Sequence, residues 1–515
     1  MMNLTATQSL RRGVAAHKEG KLNEAERYYR AVLESHVISP DSNHDIDVMA
    51  EAYCNFGAVQ QQRGNLTAAI DSYRQAVQIK PNYIEVYYIM GQALRDKGDL
   101  NASIDCYQQA AKIKPNNVDA LNNLGAALQY NGNLDAAIDS YKQALEISPD
   151  CVEAYNNMGI SHHDNGDIDT AIDCYKRALE INHNYANAHN NMGHALHDKG
   201  DLNASINCYK SALQIMPDSV QTHNNLGNAL REAGEYQEAI KHFDLITAVK
   251  ANPANPQFWF GAESQAIECL YILGRYAELE QRLNLLAESG DINLRVAAVS
   301  TFVTHQLKLA DPYPFCKKPL DFFHVGNLNE HVSDVSGFVE DLILEASTVP
   351  AVWEPQHGVT KSGFQTAPTV FFRDVKNCGR LEKILRKEIA SYYSKFRSED
   401  CAYMNLWPSE YDLRGWFVRL IKNGYQQPHN HPAGWLSGVI YLKTIDSLDT
   451  DEGAIELSLH GHGLPILDES YDRKIHRPKK GDIILFPSSL FHRTIPFDED
   501  TERCVIAFDI YRYSR

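Results

Sequence analysis

The sequence predicts an α-solenoid of stacked helical hairpins followed by an α+β domain built on a jelly roll, or double-stranded β-helix. Three observations carry that expectation. Glycines recur every 34 residues through the first half of the chain. Four of the five tryptophans and a series of short β-branched runs lie beyond residue 313. On those runs, several histidines and one arginine follow one another in an order that suits a metal site. At 515 residues the chain exceeds one ordinary core, and 44% hydrophobic with 22% charged residues is a globular composition. The expected division is 1–250 for the repeat array, 251–312 for atypical capping helices and a linker, and 313–515 for the β-rich domain.

The array comes first. Gly57, Gly91, Gly125, Gly159, Gly193 and Gly227 keep the 34-residue spacing, and Gly64 to Gly234 follow seven residues behind each. Tyr73, Tyr107, Tyr141, Tyr175, Tyr209 and Phe243 hold the same period, and Pro81, Pro115, Pro149 and Pro217 close four units. A weaker copy around Gly13, Gly20 and Tyr29, set off by an insertion near His36 to Asp45, makes seven. In each hairpin the first glycine lets two helices approach, the second sits in the turn, and the aromatic is expected to fill the gap to the next hairpin. Proline then ends the second helix. One hairpin cannot bury its apolar face, so the units must stack around a long concave surface. This pattern resembles the tetratricopeptide repeat over about residues 5–250.

Asparagine recurs beyond what the repeat needs. Asn55, Asn123, Asn157, Asn191 and Asn225 each stand two residues before the first glycine, with Ile89 the exception, and a second asparagine precedes four of them. Asparagine is a mediocre helix former, so the register needs another reason. One is a helix-to-helix hydrogen bond between neighbouring repeats. The other is a ladder of amides, each able to clamp a peptide group of an extended chain with donor and acceptor together. The pattern is similar to the asparagine ladder of O-linked N-acetylglucosamine transferase, which implies a protein or peptide substrate in the groove, held by those five residues. Histidines crowd the same region (His162, His163, His183, His189, His194, His197, His223) without a shared spacing, and metal binding is not the expectation there.

From Pro253 to about Asp311 the period fails while helical patterning continues, as terminal solenoid repeats do when they face something other than a repeat. ADPYPFCKKP reads as the linker. Beyond it, helices fit roughly 330–346 and 379–397, and strands fit WFVRLI, SGVIYLK, AIELSL, DIILFP, HRTIPF and RCVIAFDIY. The segment FQTAPTVFFRD, with Gln365, Thr366 and Arg373, reads as a first sandwich strand. His460, Gly461 and His462 make an HxH whose glycines place it in a loop.

The residues that carry chemistry follow. His429-Asn430-His431 ends the turn NGYQQP and precedes a strand, so two imidazoles at i and i+2 share a face. His492 lies 61 residues on, and Arg503 opens the final strand, pointing inward with Val505 and Ala507. Three side-chain ligands on one face of an octahedral ion leave three positions, which suits a cosubstrate chelating through two oxygens plus dioxygen.

HNHPAGWLSGVIYL, GDIILFPSSLFH and RCVIAFDI resemble the iron- and 2-oxoglutarate-dependent oxygenases, most of all a bacterial branch whose first motif reads HxHP before an SGVxYL strand. The likeness is good over roughly 410–515 and fainter over 320–410. It implies iron(II) ligation by His429 and His492, a bidentate pair between Arg503 and the distal carboxylate of 2-oxoglutarate, and a hydroxyl bond from Tyr441 to that cosubstrate. The wider family has Asp or Glu where this chain has His431. Ligation by His431 gives a neutral three-histidine face; a His431 turned away leaves two protein ligands.

The expected activity is a 2-oxoglutarate-dependent dioxygenase that takes Fe(II), 2-oxoglutarate and O2 and hydroxylates a side chain presented by the repeats. A small-molecule oxygenase with the repeats used for assembly, and a non-catalytic scaffold with a relic metal pocket, are the other two readings. The formal charge is −17, of which −12 lies before residue 310 and −5 after it. Nucleic acid and anionic membrane are therefore poor partners, and a neutral or positively charged polypeptide the better one. The basic run Arg473, Lys474, Arg477, Lys479, Lys480 reads as a solvated loop. Ten scattered cysteines without a CxxC pair, and no eighteen-residue apolar run, suit a cytoplasmic protein.

Overall fold

The computed structural model describes residues 5–34, 43–248, 256–290, 292–313, 315–316, 318–355, 358–372, 376–445, 450–461 and 463–512. Arg373, His462 and most of the insertion after the first repeat lie outside them. The chain divides into two compact units, Met1–Ala229 and Leu230–Arg515.

In the first unit, twelve helices pair in succession: α1 (Ala6–Lys18) with α2 (Leu22–Glu34), α3 (Asn43–Gln62) with α4 (Leu66–Ile79), and α5 (Ile84–Asp96) with α6 (Leu100–Ile113). Then come α7 (Val118–Tyr130) with α8 (Leu134–Ile147), α9 (Val152–Asp164) with α10 (Ile168–Ile181), and α11 (Ala186–Asp198) with α12 (Leu202–Ile215). Each pair packs on the next, as a hairpin with one apolar face must. Several of the helices start at a side-chain cap: the Asp99 and Asn117 side chains accept from the backbone N–H groups of Ala102 and Ala120 at 3.2 Å. Helix α13 (Val220–Glu232) crosses the division between the units.

The recurrent tyrosines are buried to within 2% exposure, but their first partner is not the next hairpin. A Cβ added at Gly125 would lie 2.5 Å from the Tyr141 ring of the same hairpin, and Gly57 meets Tyr73 in the same way. The glycine is therefore the floor on which its own tyrosine lies. Tyr107 also joins Leu124 and Leu128 of the following hairpin in one apolar cluster, so the expected gap-filling is the tyrosine's second contact.

The second unit opens with α14 (Tyr236–Ala248), α15 (Pro256–Ile272), α16 (Tyr276–Ser289) and α17 (Leu294–Leu307). Ten strands follow: β1 (His324–Asn327), β2 (Ala351–Trp353), β3 (Thr360–Thr366), β4 (Tyr411–His429), β5 (Leu436–Lys443), β6 (Ile455–Ser458), β7 (Arg473–His476), β8 (Asp482–Pro487), β9 (Phe491–Thr494) and β10 (Arg503–Arg512). Between them lie α18 (Val335–Ala346), α19 (Lys376–Phe396) and the short α20 (Ala402–Asn405). The strands form an antiparallel, curled sheet of jelly-roll type in the order β1-β8-β5-β10-β4-β9-β6-β7, with β2 and β3 attached beside β4.

Strand β4 makes the curl. Its first half pairs with β10 from Tyr411 to Leu420, and its end pairs with β9 through Gln426 and His429, with register shifts between. NGYQQP is thus strand rather than turn, and Asn423 absorbs the irregularity at φ 63°. Strands β5, β8 and β10 are buried nearly throughout, and α18 packs on β5. Two short strands, β1 and β7, carried no sequence signal; β7 takes Arg473 and Lys474 out of the expected loop and holds them exposed at the sheet edge. Strand β3 begins before FQTAPTVFFRD and ends within it, at Thr366. Among the described residues no helix is long and apolar enough to cross a membrane.

Candidate metal centre

The sheet register brings His429 and His492 together. His429 is the last residue of β4, His492 is the second of β9, and the two are direct cross-strand partners with ring centroids 4.2 Å apart. His431 sits in the turn after β4, pinned by its backbone N–H to the Ser488 carbonyl at 2.9 Å. Its ring lies 5.1 Å from that of His429 and 5.0 Å from that of His492. One ligand atom from each histidine falls within 4.8 Å of the others, so His431 faces the other two imidazoles.

The other ring nitrogen of each histidine is already held. His429 Nδ1 lies 2.7 Å from the Gln427 carbonyl, His492 Nδ1 3.3 Å from the Leu490 carbonyl, and His431 Nδ1 2.8 Å from Asp509 Oδ1. Each of those oxygens can only accept, so Nδ1 carries the proton and Nε2 presents its lone pair. Burial pushes the His429 pKa down to about 4, with the neighbouring His431 adding to the effect. His492 is held well below its ordinary value, first by burial and then by the other two imidazoles. Both are neutral at physiological pH. Three clustered imidazoles whose Nδ1 atoms are all held, two of them kept neutral by burial, fit a divalent transition metal.

Asp509 was missed in the sequence. It is 1% exposed, accepts from His431 Nδ1 and from Ser437 Oγ at 2.6 Å, and takes a third bond from Tyr511 Oη at 3.0 Å. The signal was available in the parity of β10: Arg503, Val505, Ala507 and Asp509 share one face. Along that face the register sets Val418 and Trp416 of β4 against Val505 and Ala507, and Tyr441, Val439 and Ser437 of β5 against Val505, Ala507 and Asp509.

At the other end of the row stand Arg503 and Tyr441, 2% and 0% exposed. The guanidinium carbon lies 5.0 Å from the Tyr441 ring centroid, and Arg503 Nε donates to the Gly453 carbonyl at 3.0 Å. Arg503 Nη1 and Tyr441 Oη are both buried without a hydrogen-bond partner. A buried guanidinium edge beside a phenol oxygen is expensive unless something accepts from it, and a carboxylate does. Burial pushes the Tyr441 phenol up to about 12, so it keeps its proton and can donate.

Beside His492 opens a cavity of about 230 Å³, lined by residues that include Glu456, Ser458, His460, Tyr471, Arg473 and Arg493. The helices read as caps hold its loop: Tyr271 donates to the Pro465 carbonyl at 2.8 Å, Gln306 donates to the Asp468 carbonyl at 2.8 Å, and Phe302 packs on His460 and Tyr471. A larger cavity of about 760 Å³, between Lys318–Phe322 and Phe396–Leu406, contains none of the three histidines.

In the first unit Asn157, Asn191 and Asn225 donate to the Asn122, Asn156 and Asn190 amide oxygens of the preceding hairpin, at 3.2, 3.0 and 3.2 Å. Asn156 and Asn190 in turn donate to Asn157 and Asn191, making one chain of amides. Asn123 donates to Tyr88 Oη and to the Asp119 carbonyl. A bond to the preceding hairpin is therefore present at four of the five positions, to an asparagine at three and to Tyr88 at Asn123. An amide has two N–H groups and two lone pairs, so within the amide chain Asn157 and Asn191 each keep one of both. Asn55 is half-buried on α3.

Residues 414–509 match the model of a family described as "Putative 2OG-Fe(II) oxygenase". Residues 61–230 match a TPR repeat model in five overlapping segments, and 221–245 match a second tetratricopeptide-repeat model. The chain thus joins a tetratricopeptide-repeat region to a C-terminal domain of the 2OG-Fe(II) oxygenase type. No curated protein matches it. Among solved structures it is similar to the MamA protein, with 28% identity over 32% of this chain and 90% of that one at a TM-score of 0.29. PilF of Pseudomonas aeruginosa is 17% identical over 40% of this chain and 93% of its own, with a TM-score of 0.35. YrrB, described as a TPR protein with an unusual peptide-binding site, is 22% identical over 34% and 89%, with a TM-score of 0.29.

Proposed function

We propose that the second unit is an iron(II)- and 2-oxoglutarate-dependent dioxygenase that hydroxylates a protein or peptide side chain, and that the repeat unit recruits the polypeptide. The observation that carries this reading is the convergence of three imidazoles whose Nδ1 atoms are all held, on the same domain as a buried arginine edge and phenol that lack partners. His429, His431 and His492 would hold the iron. Bound there with 2-oxoglutarate and O2, it supplies the two-electron oxidation of a C–H bond while 2-oxoglutarate leaves as succinate and CO2.

The chain's own residues bind, orient and exclude. Asp509 fixes the His431 ring and sets a negative charge behind it, compensating in part for the carboxylate that His431 replaces. Arg503 offers a planar donor edge to the distal carboxylate of 2-oxoglutarate, and Tyr441 adds its hydroxyl. Val505, Val439 and Ala507, all nearly buried, keep water from the row between Arg503 and Asp509. The cavity beside His492 has room for a side chain, and its charged lining, Glu456, Arg473 and Arg493, suits a polar residue. The asparagines Asn55, Asn123, Asn157, Asn191 and Asn225 would meet the substrate backbone with the amide groups that bonds within the array leave over, at Asn123 the oxygen alone. Ten free thiols, seven of them buried, support a cytoplasmic setting.

The test is succinate release from 2-oxoglutarate by the Fe(II)-loaded full chain over a library of peptides, with mass spectrometry for the gain of one oxygen atom. Peptide-dependent succinate that disappears in His429→Ala and His492→Ala is the expected result. Turnover that depends only on small metabolites, and survives alanines at the five asparagines, would overturn the protein-substrate part.

A further inference from the structure

A second cluster of metal-ligating side chains lies in the repeat unit. Helix α9 contributes His163; helix α11 contributes His194 and Asp198, which at i and i+4 stand on one face of that helix. His163 Nε2 is 2.9 Å from Asp198 Oδ2, the His163 and His194 rings meet edge-on at 5.0 Å, and one ligand atom from each of the three lies within 4.8 Å of the others. The Asp198 and His163 side chains are only 7% and 12% exposed, so both sit where water screens little.

The repeat itself supplies the control. One hairpin earlier, Gln129 Nε2 donates to Asp164 Oδ2 at 2.9 Å, which is the same inter-repeat bond made by a neutral amide. His163 stands 34 residues after Gln129, and His194 stands 34 after Ile160. Holding these hairpins together through the carboxylate therefore does not need the His163 imidazole. Replacing glutamine and isoleucine by two histidines adds two nitrogen lone pairs beside a carboxylate, and that is the donor set of a tetrahedral site with one position left over.

We propose that His163, His194 and Asp198 bind a divalent cation of the zinc type, bridging helices α9 and α11. The cation replaces the direct His163–Asp198 bond with two bonds to itself and ties His194 to the pair. Lys199, the neighbouring cation in sequence, is paired with Asp169 at 2.5 Å. His197 Nδ1 lies 3.6 Å from Asp198 Oδ1, the carboxylate oxygen that His163 does not meet. Asn191, His194 and Asp198 occupy one stripe of α11, at i, i+3 and i+7.

The experiment uses the full chain carrying His429→Ala and His492→Ala, which removes the other histidine cluster, and measures Zn(II) by equilibrium dialysis after chelator treatment. One zinc per chain is expected, lost on adding His194→Ala and lost on adding His163→Gln. The second substitution copies Gln129 and preserves the bond to Asp198, so the hairpins stay packed while the ligand is gone; an unchanged melting temperature without metal verifies this. Zinc should also raise the melting temperature of the parent double variant and leave that of His163→Gln unmoved. No zinc bound by the double variant, or one zinc retained by both His194→Ala and His163→Gln, would overturn the assignment.

Discussion

Replacing Asp509 by asparagine separates the charge behind His431 from the hydrogen bond it makes. Both His431 Nδ1 and Ser437 Oγ bond the same carboxylate oxygen, Oδ1, while Tyr511 Oη meets Oδ2 at 3.0 Å. An asparagine can keep its oxygen in the Oδ1 place and put its amide nitrogen toward Tyr511, whose hydroxyl then accepts. Shape and bond count survive, and only the negative charge is removed. Loss of such a partner behind a ligating histidine weakens metal binding by about 10–100-fold, or about 1.4–2.7 kcal/mol. With the hydrogen bond retained, the lower end applies to Asp509→Asn, and Asp509→Ala should approach the upper end. Anaerobic equilibrium dialysis with Fe(II) reads the difference directly. Equal Fe(II) affinity in wild type, Asp509→Asn and Asp509→Ala would refute the reasoning, because it would mean that His431 contributes nothing to the centre.

Other expectations follow from single contacts. Arg503→Lys should weaken 2-oxoglutarate binding by about tenfold or more, since a point charge replaces a planar donor edge, and calorimetry on the Fe(II)-loaded protein measures it. His429 and His492 have folded-state pKa values below the ordinary 6.5, so their contribution to apo-protein stability is complete above that value and is lost as pH falls toward about 4. Thermal melts of apo protein across that window should decline, and less steeply in His492→Leu. Gly125→Ala places a methyl group 2.5 Å from the Tyr141 ring and should destabilise the repeat unit by about 1–3 kcal/mol, read by denaturant melts. Asn190→Ala removes the acceptor for Asn225 and the donor to Asn191, and should cost about 1–3 kcal/mol by the same measurement.

The repeat unit was legible because a strict period transmits both registers, glycine floor and turn glycine, without help from distant residues. Its finer contacts were less so: the sequence marked the asparagine row, but whether an amide meets its neighbour or a ligand depends on the distance between helices, which the period does not state. In the β-rich unit, order and spacing singled out His429, His431, His492 and Arg503, since those residue types have few reasons to recur in buried strands. Asp509 stayed hidden because a carboxylate in FDIY reads like any strand-end acid until the register sets it against Ser437. Strands β1 and β7 were invisible because their pairing partners, β8 and β6, lie far off or carry the whole apolar signal themselves. The curl in β4 came from irregular pairing near Asn423, which composition reads as a turn.

The central claim, an iron centre on His429, His431 and His492 that turns over 2-oxoglutarate, is met most directly by one measurement. Purified full-length chain, stripped of metal and reloaded with Fe(II), is given 2-oxoglutarate and O2, and succinate is counted per chain. The account predicts succinate from the wild type that requires Fe(II) and falls to background in each of His429→Ala, His492→Ala and Arg503→Ala. Equal succinate from the wild type and all three variants would contradict it.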